Sequence, residues 1–176
     1  MLKIIDARKH RLTDKEFREL ADMEVHPQVV KWNISAFAGD VNRVFAAFKK
    51  SIENISETQD EFLVAILKER VVGFAGIHRL KEEKKHVGEV GITVHPDFQR
   101  SGIGTKLLKA CVNLAEVRGF KRLEADTLAH NIAMRRILEK TGFCLEGIRR
   151  KRVRINAKYY DEACYATVIS KRRNKI

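Results

Sequence analysis

Gln99-Arg100-Ser101-Gly102-Ile103-Gly104 is the segment of this 176-residue chain whose residue types and spacing point to chemistry. A β-rich run (Val87, Val90, Ile92, Val94) stops at His95-Pro96-Asp97. After the two glycines, apolar residues recur at helical spacing: Leu107, Leu108, Cys111, Val112, Ala115. A strand that turns through glycines into a helix N-terminus aims unpaired N–H groups and the positive end of the helix dipole at one point. That is an anion site, suited to a phosphate or pyrophosphate. Glycine has no Cβ, so phosphate oxygens are expected to approach the backbone closely at both Gly102 and Gly104. Two other phosphate loops are excluded. A P-loop ends in Gly-Lys-Ser/Thr, whereas Gly104 is followed by Thr105-Lys106; a dinucleotide fingerprint needs a third glycine where Leu107 stands.

The loop needs a strand before it and a helix behind it, and the chain reads as an alternation that supplies both. Residues 1–9 read as a strand, and Thr13 or Asp14 caps a helix carrying Phe17, Leu20 and Met23. His26-Pro27 interrupts that helix, residues 29–37 fit neither period, and a second helix runs from Asp40 to Ile52. Residues 61–67 and 71–80 form a hairpin across Lys68-Glu69-Arg70. A polar turn at 81–85 leads into the strand ending near Val94. Behind the long helix come a strand at 122–127, a helix from Asn131 to Lys140 ended by Gly142, and a terminal strand pair at 144–155 and 159–170. The sum is a mixed α/β (α+β) fold with a strand–helix–strand phosphate unit at its centre.

The length suits one domain, residues 1–176, with a substantial core. No apolar run approaches the ~18 residues of a membrane span, so no membrane partner is expected. The N-terminus lacks a signal-peptide pattern, and the expected location is the cytoplasm. Cys111, Cys144 and Cys164 are odd in number and lack a paired metal spacing; the six histidines are scattered; no metal is expected. The net charge of +12 attracts anions in general, whether nucleotide phosphates, acidic protein surfaces or nucleic acid.

The order Gln-x-x-Gly-x-Gly between strand and helix resembles the acyl-CoA pyrophosphate loop of the GNAT superfamily of N-acetyltransferases. Asn131-Ile-Ala-Met-Arg-Arg-Ile-Leu-Glu-Lys-Thr-Gly-Phe143, followed by Glu146-Gly147, is similar to that family's Asn-x-x-Ala-x-x-x-Tyr-Glu-Lys-x-Gly-Phe segment. Lys158-Tyr159-Tyr160-Asp161-Glu162 resembles the Tyr-x-Asp-Glu that opens its last strand. The pattern most resembles ribosomal-protein N-acetyltransferase-like members. The resemblance implies a mostly antiparallel central sheet with splayed strands flanked by helices, acetyl-CoA or CoA as co-substrate, and an amine acceptor. That acceptor is a peptide N-terminus, a ribosomal protein's among them, or a small amine. One departure stands out: where the family carries a tyrosine that protonates the leaving thiolate, this chain has Leu138.

What the resemblance implies for single residues follows its pattern. Arg100, Ser101, Gly102, Ile103, Gly104 and Thr105, with Gln99, hold the pyrophosphate. The strand edge at Ile92, Thr93 and Val94 pairs with the pantetheine arm, and the N–H of Ile92 or Val94 polarises the thioester carbonyl. Asn131 bonds the cofactor or simply caps its helix, and Arg136 reaches the phosphates or lies on the surface. Trp32, Asn33 and Phe37 line the acceptor site.

The acceptor must lose a proton before it attacks. A lysine amine (pKa ~10.4) pays about 4.6 kcal/mol to be neutral at pH 7, an α-amine (pKa ~8) about 1.4. Glu89, sharing a face with Gly91 and Thr93, is the candidate base, against a solvated strand charge. Tyr160 is the candidate replacement acid, against simple packing. A thiol leaving group with pKa ~8.5 departs tolerably unaided. Arg150, Arg152 and Arg154 alternate onto one strand face, solvated or facing an acidic partner. Two other readings compete: a non-catalytic acyl-CoA-binding module, separable by turnover, and a nucleic-acid-binding protein. The latter is disfavoured for want of a reading helix or RNA-binding aromatic motif. Monomer and homodimer both fit.

Overall fold

The computed structural model describes residues 1–32, 40–58 and 60–170. Strands β1 (Leu2–Asp6), β2 (Glu61–Leu67), β3 (Arg70–Arg79), β4 (Val87–Val94), β5 (Arg122–Leu128), β6 (Cys144–Ile155) and β7 (Lys158–Val168) form one sheet in the order β1-β2-β3-β4-β5-β7-β6. Every neighbouring pair is antiparallel except β4 and β5. The helices are α1 (Asp14–Glu24), α2 (Pro27–Val30), α3 (Val41–Glu53), α4 (Ile55–Thr58), α5 (Ile103–Val117) and α6 (Ile132–Lys140). The four-residue α4 was not expected from the sequence, being too short to show a period. Asn33 and Phe37 lie outside the described residues.

Local chemistry sets the ends of these elements. Thr13 and Glu16 close a reciprocal capping box on α1, and the Asp40 carboxylate accepts from the Asn42 and Arg43 amides at the start of α3. Lys68 and Glu69 turn the β2–β3 hairpin in left-handed backbone conformations. The sheet is covered on both faces. On one, Phe17, Leu20, Met23 and Ile52 of α1 and α3 pack on Val64, Val71 and Phe74. On the other, Leu107, Leu108, Cys111 and Leu138 of α5 and α6 pack on Ala65, Val72, Ile77, Leu123, Ala125 and Tyr165. Burial of this apolar surface, at about 25 cal/mol per Å², is what holds the helices down.

The terminal hairpin corrects one expectation. Arg150, Arg152 and Arg154 do not simply alternate on one face, because the register jumps from Arg149↔Glu162 to Val153↔Tyr160. Arg150, Lys151 and Arg152 bulge out opposite Asp161. Lys151 takes a left-handed φ of 51°, and its N–H donates to Asp161 Oδ1 at 2.8 Å.

Candidate active site

β4 and β5 run parallel for three pairs only, Val87↔Arg122, Gly88↔Leu123 and Glu89↔Glu124, and then part. Beyond Glu89 the sheet therefore contains a fork. The backbone bonds of β4 can be assigned from its ends: Leu80 N–H donates to Val87 C=O, and His95 N–H donates to Val72 C=O. Antiparallel pairing makes odd-numbered residues of β4 face β3, so the main-chain groups of Val90, Ile92 and Val94 face the fork. Consistently, Gln99 Nε2 donates across to Val94 C=O at 3.2 Å. The fork opens into a cleft of about 1350 Å³ whose walls include Glu89–Val94, Glu124–Thr127, the turn from Gln99 to Thr105, and Asn131–Met134.

The loop after β4 ends at this cleft. Gly102 is the N-cap of α5 with φ 84°, a conformation that costs other residues strain, and the first intrahelical bond runs from Lys106 N–H to Gly102 C=O. The amides of Ile103, Gly104 and Thr105 are thus unclaimed by the helix, and no side chain caps them. Ser101 Oγ donates to Phe98 C=O and Gln99 to Val94, so both polar side chains serve to shape the turn. The two glycines differ from each other. A Cβ on Gly102 would stand in open space, but on Gly104 it would lie 3.1 Å from Ile137 Cδ1 and 3.4 Å from Ile92 Cδ1. Gly104 lets α5 sit close to α6 and β4, a packing role rather than an open approach for an anion.

Glu89 and Glu124 are paired in register at the fork's vertex, so their side chains share the face that carries α1. Glu89 is exposed and makes no ion pair among the described residues, whereas Glu124 accepts from Arg122 Nε at 2.7 Å. Further along the same face, Thr93 Oγ1 lies 3.5 Å from Oε2 of buried Glu24 on α1. Across the fork, Arg149 donates to Asp126 at 2.9 Å and to Glu162 at 3.1 Å; Glu162 is only 5% exposed. Asp126, Glu162 and Cys164 bring three ligand-type atoms within 4.8 Å of one another, but the Arg149 guanidinium already bridges the two carboxylates. Burial, then the Asp126 charge, pushes the Cys164 thiol up to about 11, so it is a poor nucleophile here.

A row of rings closes the cleft's outer side. Trp32, 37% exposed, lies 5.4 Å from His130, and His130 lies 5.3 Å from Tyr160. Trp32 and His130 line the cleft; Tyr160 backs His130. Tyr165 is committed elsewhere: its hydroxyl donates to Glu139 Oε1 at 2.8 Å and accepts from Arg135 Nε at 3.0 Å. Leu138 is fully buried in the core while its neighbour Ile137 lines the cleft. Asn131 lines the cleft and caps α6, its Oδ1 accepting from Met134 N–H at 3.2 Å. Arg136 is exposed on α6 and is not among the cleft's lining residues.

Of the residues singled out from the sequence, Glu89, Ile92, Thr93, Val94, Gln99, Arg100, Gly102–Thr105, Asn131 and Trp32 line one cleft, and Ser101 does not. Sequence reasoning missed Glu24, Glu124, Asp126, His130 and Glu162. For Glu124 and Asp126 a signal existed: Leu123, Ala125 and Thr127 alternate with them, so the acids had to share the opposite face. Glu162 carried one in the Tyr-x-Asp-Glu resemblance, though no site role was read from it; Glu24 gave none, since its approach to Thr93 depends on how α1 packs on β4.

Comparison with known proteins adds relatives to this geometry. The chain is 28% identical over 99 residues to an uncharacterized N-acetyltransferase, YoaA, of Bacillus subtilis, an alignment covering 56% of this chain and 55% of that protein. The chain thus spans little more than half the length of the curated relative it matches. Among solved structures it resembles a ribosomal-protein-alanine N-acetyltransferase from Brucella melitensis, at TM-score 0.79 and 19% identity, over 96% of this chain and 99% of that one. A putative acetyltransferase from Salmonella typhimurium, solved with acetyl-CoA, superposes at TM-score 0.78 and 17% identity over 98% and 96% of the two chains. Those likenesses show the fold. A model of the acetyltransferase (GNAT) family matches residues 22–143, from the last turn of α1 through the fork, the loop and α6, and the chain belongs to that family.

Proposed function

We propose that the protein transfers an acetyl group from acetyl-CoA to a primary amine, by direct attack with Glu89 as general base. The observation that carries this is the fork itself: an unpaired edge of β4 leading to a helix N-terminus whose first amides are unclaimed. The edge can pair with an amide-bearing, peptide-like arm in the manner of an added strand, while the Ile103–Thr105 amides face a pyrophosphate. When bound, acetyl-CoA supplies an activated thioester. The N–H of Ile92 or Val94 is the donor available to the negative charge that builds on its carbonyl oxygen.

The acceptor would enter from the α1 face, where Glu89 and Glu124 attract an ammonium and Glu89, unpaired, takes its proton directly or through water. Trp32 and His130 would flank it, with Tyr160 behind His130. An N-terminal α-amine fits this better than a lysine, since freeing it of its proton costs about 1.4 rather than 4.6 kcal/mol at pH 7. No acid stands at Leu138, and Tyr160 lies behind His130 rather than in the cleft lining, so the thiolate leaves unaided or through water. Among the described residues no helix is long and apolar enough to cross a membrane.

Free-thiol release from acetyl-CoA, run against peptides with free N-termini, polyamines, amino acids and aminoglycosides, tests the reading. A thermal-shift titration with CoA accompanies it. Turnover with an amine, together with stabilisation by CoA, is expected. Stabilisation without turnover on any amine would point to a binding module, and no stabilisation at saturating CoA would overturn the reading.

A further inference from the structure

We propose that the bulge Arg150-Lys151-Arg152 is a docking surface for the acidic segment of a polypeptide acceptor, so that the amine delivered to the fork is the N-terminus of an acidic chain. The proposal rests on the amine-acetylation reading and narrows its substrate class. Its starting point is which cations are left available. Arg149 is held by Asp126 and Glu162, and Arg154 lies 5.9 Å over the Tyr159 ring. Arg150 and Lys151 are exposed and make no ion pair among the described residues, and Arg152 approaches Glu162 at 3.8 Å with a side chain 65% exposed. Glu162 lines the cleft, so the bulge stands at the cleft's rim.

The backbone is bent to present these three side chains. Two extra residues are inserted opposite Asp161, and Lys151 sits in a left-handed conformation where glycine or asparagine would be easier. A bulge with one charge is enough to blunt an edge strand against aggregation, and three successive cations exceed that need. The cleft interior, by contrast, carries carboxylates at Glu89, Glu124 and Asp126. A ligand matching both regions is positive at its leading end and negative further along. From the fork to the bulge is roughly 15–20 Å across β5 and β7, which an extended chain covers in about five or six residues. A free α-amine followed by glutamates or aspartates from about the fourth residue has that form. Exposed charges of this kind act through steering and KM more than through the chemical step.

The test compares matched peptides differing only in whether the residues after the third are Glu, Gln or Lys, with acetyl-CoA at low and high salt. The Glu peptide is expected to show a KM about tenfold below the Gln peptide, with kcat within about twofold, and the Lys peptide to be poorest. Raising NaCl from about 50 to about 500 mM is expected to erase the difference. In an R150S/K151N/R152S variant, whose asparagine tolerates the left-handed turn, the Glu preference should vanish while the Gln peptide's kinetics hold. Equal KM for Glu and Gln peptides at low salt would overturn the proposal. Binding of a C-terminally labelled, N-terminally acetylated Glu peptide, followed by fluorescence anisotropy, needs no turnover. It keeps a failure here distinct from a failure of the acetylation reading. A short single-stranded RNA that outcompetes that peptide, with the same loss in the variant, would reassign the surface to nucleic acid and also overturn the proposal.

Discussion

The two halves of β4 use the same residue type for opposite ends. In the first half, Val87–Glu89, the strand is laddered on both sides, and a Cβ added to Gly88 would fall 2.5 Å from Ile77 Cγ2 and 2.8 Å from Phe120 Cε1. In the second half the β5 ladder is gone, and a Cβ on Gly91 would meet nothing within 4 Å. One glycine lets the sheet close over α5; the other leaves room in the cleft. The contrast teaches that the site is made by ending a strand pair early, and that Glu89 stands where closure gives way to opening.

The sharpest break of this contrast is at the junction itself. If Glu89 removes the acceptor's proton, Glu89→Gln should lower kcat about 10²–10⁴-fold, with CoA stabilisation and melting temperature unchanged. Glu124→Gln, at the paired position but already held by Arg122, should cost less and act mainly on the acceptor's KM. Equal losses in the two variants would mean that the pair works as one electrostatic trap and that Glu89 has no special role as base.

Below the open half, Leu138 measures how far the cleft reaches. It is fully buried, so Leu138→Ala should destabilise by about 2–5 kcal/mol in urea unfolding. Leu138→Tyr should not raise turnover, because the side chain points into the core and the hydroxyl would be buried or force the packing apart. A stable and faster Leu138→Tyr variant would show that the cleft extends to this position.

How much of this was legible beforehand follows the range of the interactions. β4, its loop, α5 and the Asn131 cap were readable because period, glycines and capping residues act within a few positions. The Arg149 bridge to Asp126 and Glu162, and the meeting of Thr93 with Glu24, span 13 to 69 residues; the first needs β7 inserted between β5 and β6, the second needs α1 packed on the sheet beside β4. The net charge of +12 was uninformative for a related reason. It pointed to anions in general, yet the cleft carries carboxylates at Glu89, Glu124 and Asp126, because a sum over the chain says nothing of where each charge lies. The bulge in β6 defeated strict alternation for want of any glycine to announce it.

The glycines themselves give the next, smaller test. Gly88→Ala should destabilise by about 1–3 kcal/mol through overpacking, since the Ile77 and Phe120 side chains it would meet are each 1% exposed. Gly91→Ala should leave stability within about 0.5 kcal/mol and show its effect in the KM values for acceptor and acetyl-CoA. Similar melting temperatures for the two variants would remove the distinction between a sealed and an open half.

The smallest effect is expected behind the fork's vertex, where Arg122, which also holds Glu124, reaches from β5 to Glu146 on β6 with a paired guanidinium–carboxylate contact. The hydrogen bond from Arg122 holds the Glu146 carboxyl below the usual carboxylate range. A group whose folded pKa is depressed stabilises above its unfolded value and loses that contribution as pH falls through the folded one. The pair should therefore contribute at neutral pH and fade on acidification below about pH 4.3. Both side chains are partly exposed, Glu146 by 49%, so solvent screening limits the gain to about 0.5 kcal/mol. Glu146→Gln should flatten the acid limb of the stability–pH curve by that amount and leave turnover untouched, since neither residue lines the cleft. A larger loss, or one that appears at neutral pH in kcat, would mean that the β5–β6 brace holds the open side of the fork in place.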